Sequence, residues 1–213
     1  MDLDGDGRAE TIGEAVTLRS YGGRRLSAFF IAGTVDDQYK ILYKLVGNFK
    51  ITGESLIDFN GDHVQDYTFR YGRDDRDFGY VLLWNQPGSV KAVYRKKFPY
   101  SFYLEDLDQD GLSEIIQVAG PIAGPRDKGP VPDWQWMDVY RWDAPTTTFV
   151  LDNARYPSFF GNRRLKFEDL LGQIEAQNVP GFDWSGNEKD FLALKQRIET
   201  DYLKRISLLT GPP

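Results

Sequence analysis

The segment Asp106-Leu-Asp-Gln-Asp-Gly-Leu-Ser-Glu114 decides how this chain is interpreted, because it places four carboxylates within nine residues. Two further segments align with it without gaps: Asp2-Leu-Asp-Gly-Asp-Gly-Arg-Ala-Glu10 and Asp58-Phe-Asn-Gly-Asp-His-Val-Gln-Asp66. We call the three segments, in chain order, the first (2–10), second (58–66) and third (106–114) acidic loops. Their starts are 56 and 48 residues apart, a spacing typical of stacked supersecondary units or propeller blades.

The spacing of the acidic side chains matches what a calcium ion requires. Calcium takes six to eight oxygen ligands at about 2.3–2.6 Å, and a tight loop with oxygens at alternate positions wraps them around one point. A Gly at position 6 permits the sharp bend with positive φ, and His63 takes that position in the second loop. The predicted ligands are the side chains at positions 1, 3, 5 and 9 and the backbone carbonyl at position 7: Asp2, Asp4, Asp6, Arg8 and Glu10; Asp58, Asn60, Asp62, Val64 and Asp66; Asp106, Asp108, Asp110, Leu112 and Glu114.

The loops differ from an EF-hand in their ligands and in their flanking elements. An EF-hand needs a bidentate Glu at position 12, where this chain has Gly13, Phe69 and Gln117. Strand-like runs, rather than helices, come after the second and third loops. The alternative is that the loops are acidic turns that only connect strands.

These segments resemble a known repeat family. The words DLDGDGRAETI, DFNGDHVQDYTF and DLDQDGLSEIIQV are similar to the FG-GAP/VCBS repeats of integrin-like propellers and of many secreted bacterial proteins. The resemblance implies calcium loops between the strands of propeller blades, and it implies the side-chain ligands given above. The second loop departs from the pattern because it lacks the Gly at position 6.

Alternating apolar residues and turn signals predict a mainly β fold of propeller-like antiparallel blades. We predict four strands after the first loop (15–20, 26–34, 39–45 and 50–56) and four after the second (67–71, 80–85, 91–97 and 101–104). Three more come after the third loop (115–119, 137–142 and 147–151). Three blades are fewer than an ordinary closed propeller contains, so we expect an incomplete or small propeller.

The last third of the chain changes to a helical period. Apolar residues recur at helical spacing in two segments, which predicts C-terminal helices near 163–177 and 187–209. Ser185 and Glu188 have the form of a capping box, and Gly211 is a stop signal. We therefore predict a calcium-loop domain over 1–155 and a helical extension over 156–213 that packs on it.

Residues 120–136 form a Pro- and Gly-rich insertion that ends in Trp134 and Trp136. Long loops in compact domains are often functional, and paired aromatic side chains can anchor a protein or stack on a sugar. The two Trp residues are therefore candidate partner-binding residues. Packing in the core is the alternative, since Trp is usually highly buried.

Composition excludes several classes of site. The chain of 213 residues has one His and no Cys, so a thiolate nucleophile, a Cys-ligated metal and any site that needs a second His are absent. The net charge of −6 and the lack of a long basic run argue against nucleic-acid binding. No apolar run is long enough to cross a bilayer as a helix. We do not expect an enzyme.

These features predict a secreted, periplasmic or surface-anchored calcium-binding module that binds a protein or a glycan, with the metal in a structural role. Extracellular modules bind calcium at about 10⁻⁴–10⁻³ M, a range in which cytosolic calcium would leave them empty. One alternative is an inhibitor or immunity-type protein that blocks a hydrolase of the cell envelope. Another is a fragment of a larger adhesin or polysaccharide-acting enzyme. No signal sequence is present in this chain, and its partner and oligomeric state stay open.

Overall fold

The computed structural model describes residues 2–3, 6–16, 26–74, 77–97, 102–119 and 134–211, and these residues form a mainly β fold. The strands are β1 Thr11–Val16, β2 Ser27–Val35, β3 Gln38–Gly47, β4 Lys50–Ile57, β5 Asp66–Asp74, β6 Asp77–Gln86, β7 Ser89–Lys97, β8 Phe102–Glu105, β9 Glu114–Ala119, β10 Trp136–Asp143 and β11 Thr148–Leu151. Three open antiparallel sheets have the strand orders β1-β2-β3, β4-β5-β6-β7 and β11-β10-β9-β8.

The strands group differently from the prediction. The last strand of each of the first two predicted groups pairs across the next acidic loop instead, so that β4 pairs with β5 and β8 pairs with β9. Consequently the sheets contain three, four and four strands rather than four, four and three. The physical reason is that an acidic loop is short enough to act as a hairpin turn, and the strands on its two sides become antiparallel neighbours. The predicted strand at 15–20 instead spans 11–16, and residues 17–20 lie outside the described residues.

The hairpin between β2 and β3 has a two-residue turn at Asp36 and Asp37. Both residues have positive φ, 52° and 57°, as expected for a turn whose twist matches that of the strands. The exposed residues Tyr39 and Ile41 come next on β3.

The chain divides into two compact units. Unit one contains residues 1–99, 111–113 and 142–149, and unit two contains residues 100–110, 114–141 and 150–213. The core of unit one is aromatic: the Phe29 and Phe69 ring centroids are 4.5 Å apart, and Tyr67 stacks on Phe29. The domain boundary between residues 155 and 156 stays a prediction.

Unit two contains the helices α1 Pro157–Glu175, α2 Glu188–Arg197 and α3 Leu203–Thr210. A π-helical turn, Ile198–Tyr202, joins α2 to α3, so the predicted second helix runs through with one widened turn. Helix α1 begins earlier than predicted because Pro157 suits the first helical position. None of the described helices is both long enough and apolar enough to span a membrane.

The predicted capping box at Ser185 and Glu188 is wrong. The N-cap residue of α2 is Asn187, and it makes no side-chain capping hydrogen bond. Ser185 lies too far from the helix start, because the chain turns at Trp184 and the Asn187 N–H donates to the Trp184 carbonyl oxygen at 3.1 Å. The stop at Gly211, which has a φ of 79°, is confirmed.

The aromatic core of unit one yields a stability prediction. Replacing the fully buried Phe69 by Ala should lower the free energy of unfolding by about 3–5 kcal/mol, because the lost burial and the cavity both destabilise the fold. Tyr39→Ala is the matched aromatic control on an exposed site, and it should change stability by no more than about 0.5 kcal/mol. Denaturant unfolding measures both, and a similar loss in the two variants would contradict this core assignment.

Candidate metal centre

The second and third acidic loops are hairpin turns. In the second loop Ile57 pairs with Asp66, and in the third Glu105 pairs with Glu114. Each loop therefore begins where one strand ends, and its position 9 is the first residue of the next strand. This closure brings position 9 next to positions 1 and 2 across the hairpin.

Position 6 has positive φ in all three loops, as the sequence predicts. The angles are 85° at Gly7, 67° at His63 and 86° at Gly111. His63 thus adopts the left-handed conformation that Gly adopts in the other two loops, and its side chain is almost fully exposed.

Position 4 also has positive φ in the second and third loops, and this feature was not predicted from the sequence. The angles are 71° at Gly61 and 59° at Gln109. The Gly residues at position 4 of the first two loops were the signal that could have predicted it.

The position 9 carboxylates share one contact. Each accepts a hydrogen bond from the backbone N–H of position 2 of its own loop: Glu10 from Leu3 at 2.6 Å, Asp66 from Phe59 at 3.4 Å and Glu114 from Leu107 at 2.8 Å. The apolar position 2 side chains are buried or partly buried. The position 9 carboxylate therefore connects the two ends of each loop through a hydrogen bond.

Among the residues that the structure describes, the third loop holds the group of carboxylates best placed for a metal. Asp106, Asp108 and Glu114 each offer an oxygen, and these three oxygens lie within 4.8 Å of one another. Glu114 is buried, while the two Asp residues are exposed. The sequence predicts all three as ligands. Asp110, the predicted position 5 ligand, is not in this group, and its N–H donates to Asp106 at 3.1 Å.

A cation from the chain itself already contacts this loop. The Arg155 Nε atom lies 2.9 Å from Asp108 Oδ2, and its Nη2 atom lies 3.5 Å from Asp110 Oδ2. Arg155 ends the short 3₁₀ helix Asn153–Arg155 that comes after β11. This contact is not predictable from the sequence, because no local pattern connects residues 47 positions apart.

The neighbouring Tyr156 reaches the same loop from the interior. Its hydroxyl is buried beside the Glu114 carboxyl. Burial raises the pKa of Glu114. The Leu107 N–H and the Tyr156 hydroxyl oppose the shift, and the charges of Asp108 and Asp110 add to it. Burial, followed by the Glu114 charge, also raises the pKa of Tyr156. The third loop offers only oxygen atoms as metal ligands, which suits a hard metal ion such as calcium. Its outer carboxylates, Asp108 and Asp110, already bind one cation, the Arg155 guanidinium.

Several oxygens of the second loop accept hydrogen bonds from within the protein. Asp58 accepts the N–H groups of Gly61 and His63, and Asp62 accepts the Val64 N–H at 2.9 Å and the Trp84 indole N–H at 3.1 Å. Asn60 Nδ2 also donates to Asp62, at 2.9 Å. The structure therefore brings these side chains together as the sequence predicts. The oxygens of Asp58 and Asp62, however, already accept hydrogen bonds from N–H groups of the protein.

Asp66, at position 9 of the second loop, is fully buried. Desolvation raises its pKa from 3.8 to about 8, and the charges of Asp62 and Asp58 add to the shift. The N–H groups of Asn85, at 2.9 Å, and Phe59 lower it in part.

The first loop is described in part, and Asp4 lies outside the described residues. Asp2 accepts the Gly7 N–H at 3.0 Å, and Asp6 accepts the Arg8 N–H at 2.7 Å. The Arg8 side chain pairs with Asp37 at 3.3 Å. The roles of the position 7 carbonyls of Arg8, Val64 and Leu112 stay predictions.

The two candidate partner-binding Trp residues lie in different surroundings. Trp136 is only 5% exposed, stacks on Phe160 and donates its indole N–H to Asp138 at 2.8 Å. This burial favours the packing alternative for Trp136, because the ring has almost no free surface, and the partner-binding role of the two Trp residues stays a prediction. Trp134 is partly buried against Phe182. Residues 120–133 of the insertion lie outside the described residues.

The left-handed backbone at position 6 yields a reciprocal pair of substitutions. His63→Gly should raise the free energy of unfolding by about 0.5–1 kcal/mol, because Gly adopts positive φ without a Cβ penalty. Gly111→His should lower the free energy of unfolding by a similar amount. A Cβ at position 111 would meet no heavy atom within 4 Å, so the change reports the cost of positive φ rather than a steric clash. Denaturant unfolding in chelator measures both, and a loss of stability in His63→Gly would contradict the assignment.

The raised pKa of Asp66 predicts a pH dependence of the metal-free protein. Below about pH 4 Asp66 is protonated in both the folded and unfolded states. Between about pH 4 and 8 the unfolded chain ionises while the fold retains the proton, so the free energy of unfolding should fall as pH rises, by on the order of a few kcal/mol. Above that range both states are ionised and the decline should stop.

Asp66→Asn is the variant that isolates this effect. The difference in unfolding free energy between the wild type and Asp66→Asn should change with pH across that window, in the direction that favours the variant at higher pH. A difference that stays constant from pH 4 to 8 would contradict the assignment of the raised pKa to Asp66.

Comparison of the chain with models of known protein families finds no match, and comparison with curated protein sequences finds no significant match.

Proposed function

We propose that this chain is a calcium-binding β-sheet module in which the metal has a structural role. The observation that carries the proposal is the third acidic loop, where oxygens of Asp106, Asp108 and Glu114 lie within 4.8 Å of one another in a single hairpin turn. Two ligands on opposite sides of a calcium ion with Ca–O distances of about 2.4 Å are about 4.8 Å apart. The group therefore has the right size for one ion.

A structural role is supported by the position of the loop in the fold. The loop joins β8 to β9, and its ligands come from both ends of the turn. A bound ion would neutralise carboxylates that otherwise repel one another, and it would fix the start of β9. Binding to the folded chain alone stabilises that chain by mass action.

The biological setting is a second part of the proposal. We propose a module of the cell exterior or periplasm, because loops of this kind bind calcium at about 10⁻⁴–10⁻³ M and need an environment that supplies it. In this proposal the three sheets are blades of an incomplete propeller, and the partner is a protein or a glycan. The resemblance of the acidic loops to FG-GAP/VCBS repeats supports this setting.

Calorimetric titration of chelator-stripped protein tests the proposal directly. We expect calcium to bind and to raise the melting temperature, with about 2.7 kcal/mol of stabilisation per independent site at 100 times the dissociation constant. Asp106→Asn should weaken the third site and reduce this gain, while changing stability little in chelator, because Asn keeps an acceptor for the Asp110 N–H.

Asp169→Asn is the matched control, since it makes the same charge change on α1 away from the acidic loops. It should leave calcium affinity and the melting shift unchanged. Absence of heat and of a melting shift at millimolar calcium would refute the proposal. Equal losses of stability for Asp106→Asn with and without calcium would refute the structural role of the metal.

A further inference from the structure

Arg155 lies where a metal ion at the third loop would exert its charge. Its guanidinium group contacts two predicted ligands, Asp108 through Nε at 2.9 Å and Asp110 through Nη2 at 3.5 Å. Asp108 is also a member of the group of three carboxylates whose oxygens fit one ion. One carboxylate thus belongs both to the ion pair and to the candidate metal site.

We propose that Arg155 is a built-in counter-ion of the third loop that calcium must displace, so that it sets the calcium concentration at which this loop fills. The inference rests on the proposed calcium binding and adds its regulation. Without metal, the guanidinium offsets the repulsion between neighbouring carboxylates. With metal, the same charge opposes the ion.

Charge is the first reason for competition. A calcium ion bound to Asp108 would lie within about 5 Å of a guanidinium that contacts the same carboxylate, and like charges at that distance repel even when they are partly solvated. The Arg155 side chain is 47% exposed, so it can rotate into solvent at little steric cost when the ion enters.

The ligand set is the second reason for competition. Calcium takes six to eight oxygens, and three carboxylates leave its shell incomplete. Asp110 is the next carboxylate in the loop, but it contacts Arg155 and is outside the group of three carboxylates. For Asp110 to become a ligand, its contact with Arg155 must break.

Arg155 and Tyr156 differ in their burial and in the carboxylates that they lie beside. Tyr156 is buried beside Glu114, whereas Arg155 contacts the exposed rim formed by Asp108 and Asp110. The interior contact can persist when an ion binds, and the rim contact cannot persist without placing two cations side by side. Of these two residues, Arg155 is therefore the exchangeable one.

The test compares calcium binding of Arg155→Met, which removes the charge and keeps much of the apolar stem, with that of Arg155→Lys. Both variants are made in a background protein that carries Asp6→Asn in the first loop and Asp62→Asn in the second. These two substitutions weaken the other predicted sites, so the heat of binding reports mainly on the third loop. Arg141→Met is the matched control, because Arg141 pairs with Asp152 at 2.7 Å in the same unit.

We expect Arg155→Met to bind calcium about three- to tenfold more tightly than the background, a change in the range of one partly exposed ion pair together with a removed like charge. Its melting temperature should be lower than that of the background in chelator and equal or higher in millimolar calcium. Arg155→Lys should fall between the two, because it keeps the charge and loses the bidentate fork. Arg141→Met should not change calcium affinity.

The outcomes separate this inference from the proposed function. If the background binds calcium and Arg155→Met binds it with equal or lower affinity, the counter-ion role is wrong while the calcium module stands. If Arg155→Met loses stability equally with and without calcium, Arg155 is an ordinary structural ion pair. If no variant binds calcium at millimolar concentration, both proposals fail together.

Discussion

Repulsion between carboxylates in a tight hairpin turn is the constraint on which the acidic loops of this protein depend. The third loop places four carboxylates within nine residues, and two strands of one sheet start and end there. Such a turn is stable only if cations, protons or N–H donors offset the repulsion. The second and third loops show different combinations of these, and each combination affects how readily a metal could enter.

In the second loop, N–H donors and a proton on Asp66 offset the repulsion between the carboxylates. The Asp62 carboxylate accepts N–H groups from Val64 and from the Trp84 indole, and the raised pKa of Asp66 favours its neutral form. A metal there would have to replace several internal hydrogen bonds and a proton. In the third loop the outer carboxylates instead contact Arg155, a half-exposed side chain at the surface. Of these two loops, the third is thus the better candidate for a metal.

Local structure agreed closely with the sequence where short-range sterics decide it. Positive φ at position 6 was predictable from Gly7 and Gly111, and the structure shows that His63 adopts the same conformation. Most strand and helix positions were also predictable, since their apolar periodicities are long and regular. The pairing of strands was not, because the same periodicity allows β4 to join either of two sheets. The acidic hairpin decides in favour of β5.

The sequence by itself determined the mainly β composition, the spacing of the acidic side chains and the backbone bend of each loop. These features depend on residues close to one another along the chain. Tertiary structure alone decided that Arg155 pairs with Asp108, that Tyr156 lies beside Glu114, that Asp66 is desolvated and that Trp136 is buried. Each of these depends on segments brought together by packing, and burial or a distant charge changes a side chain's chemistry without leaving a local pattern in the sequence.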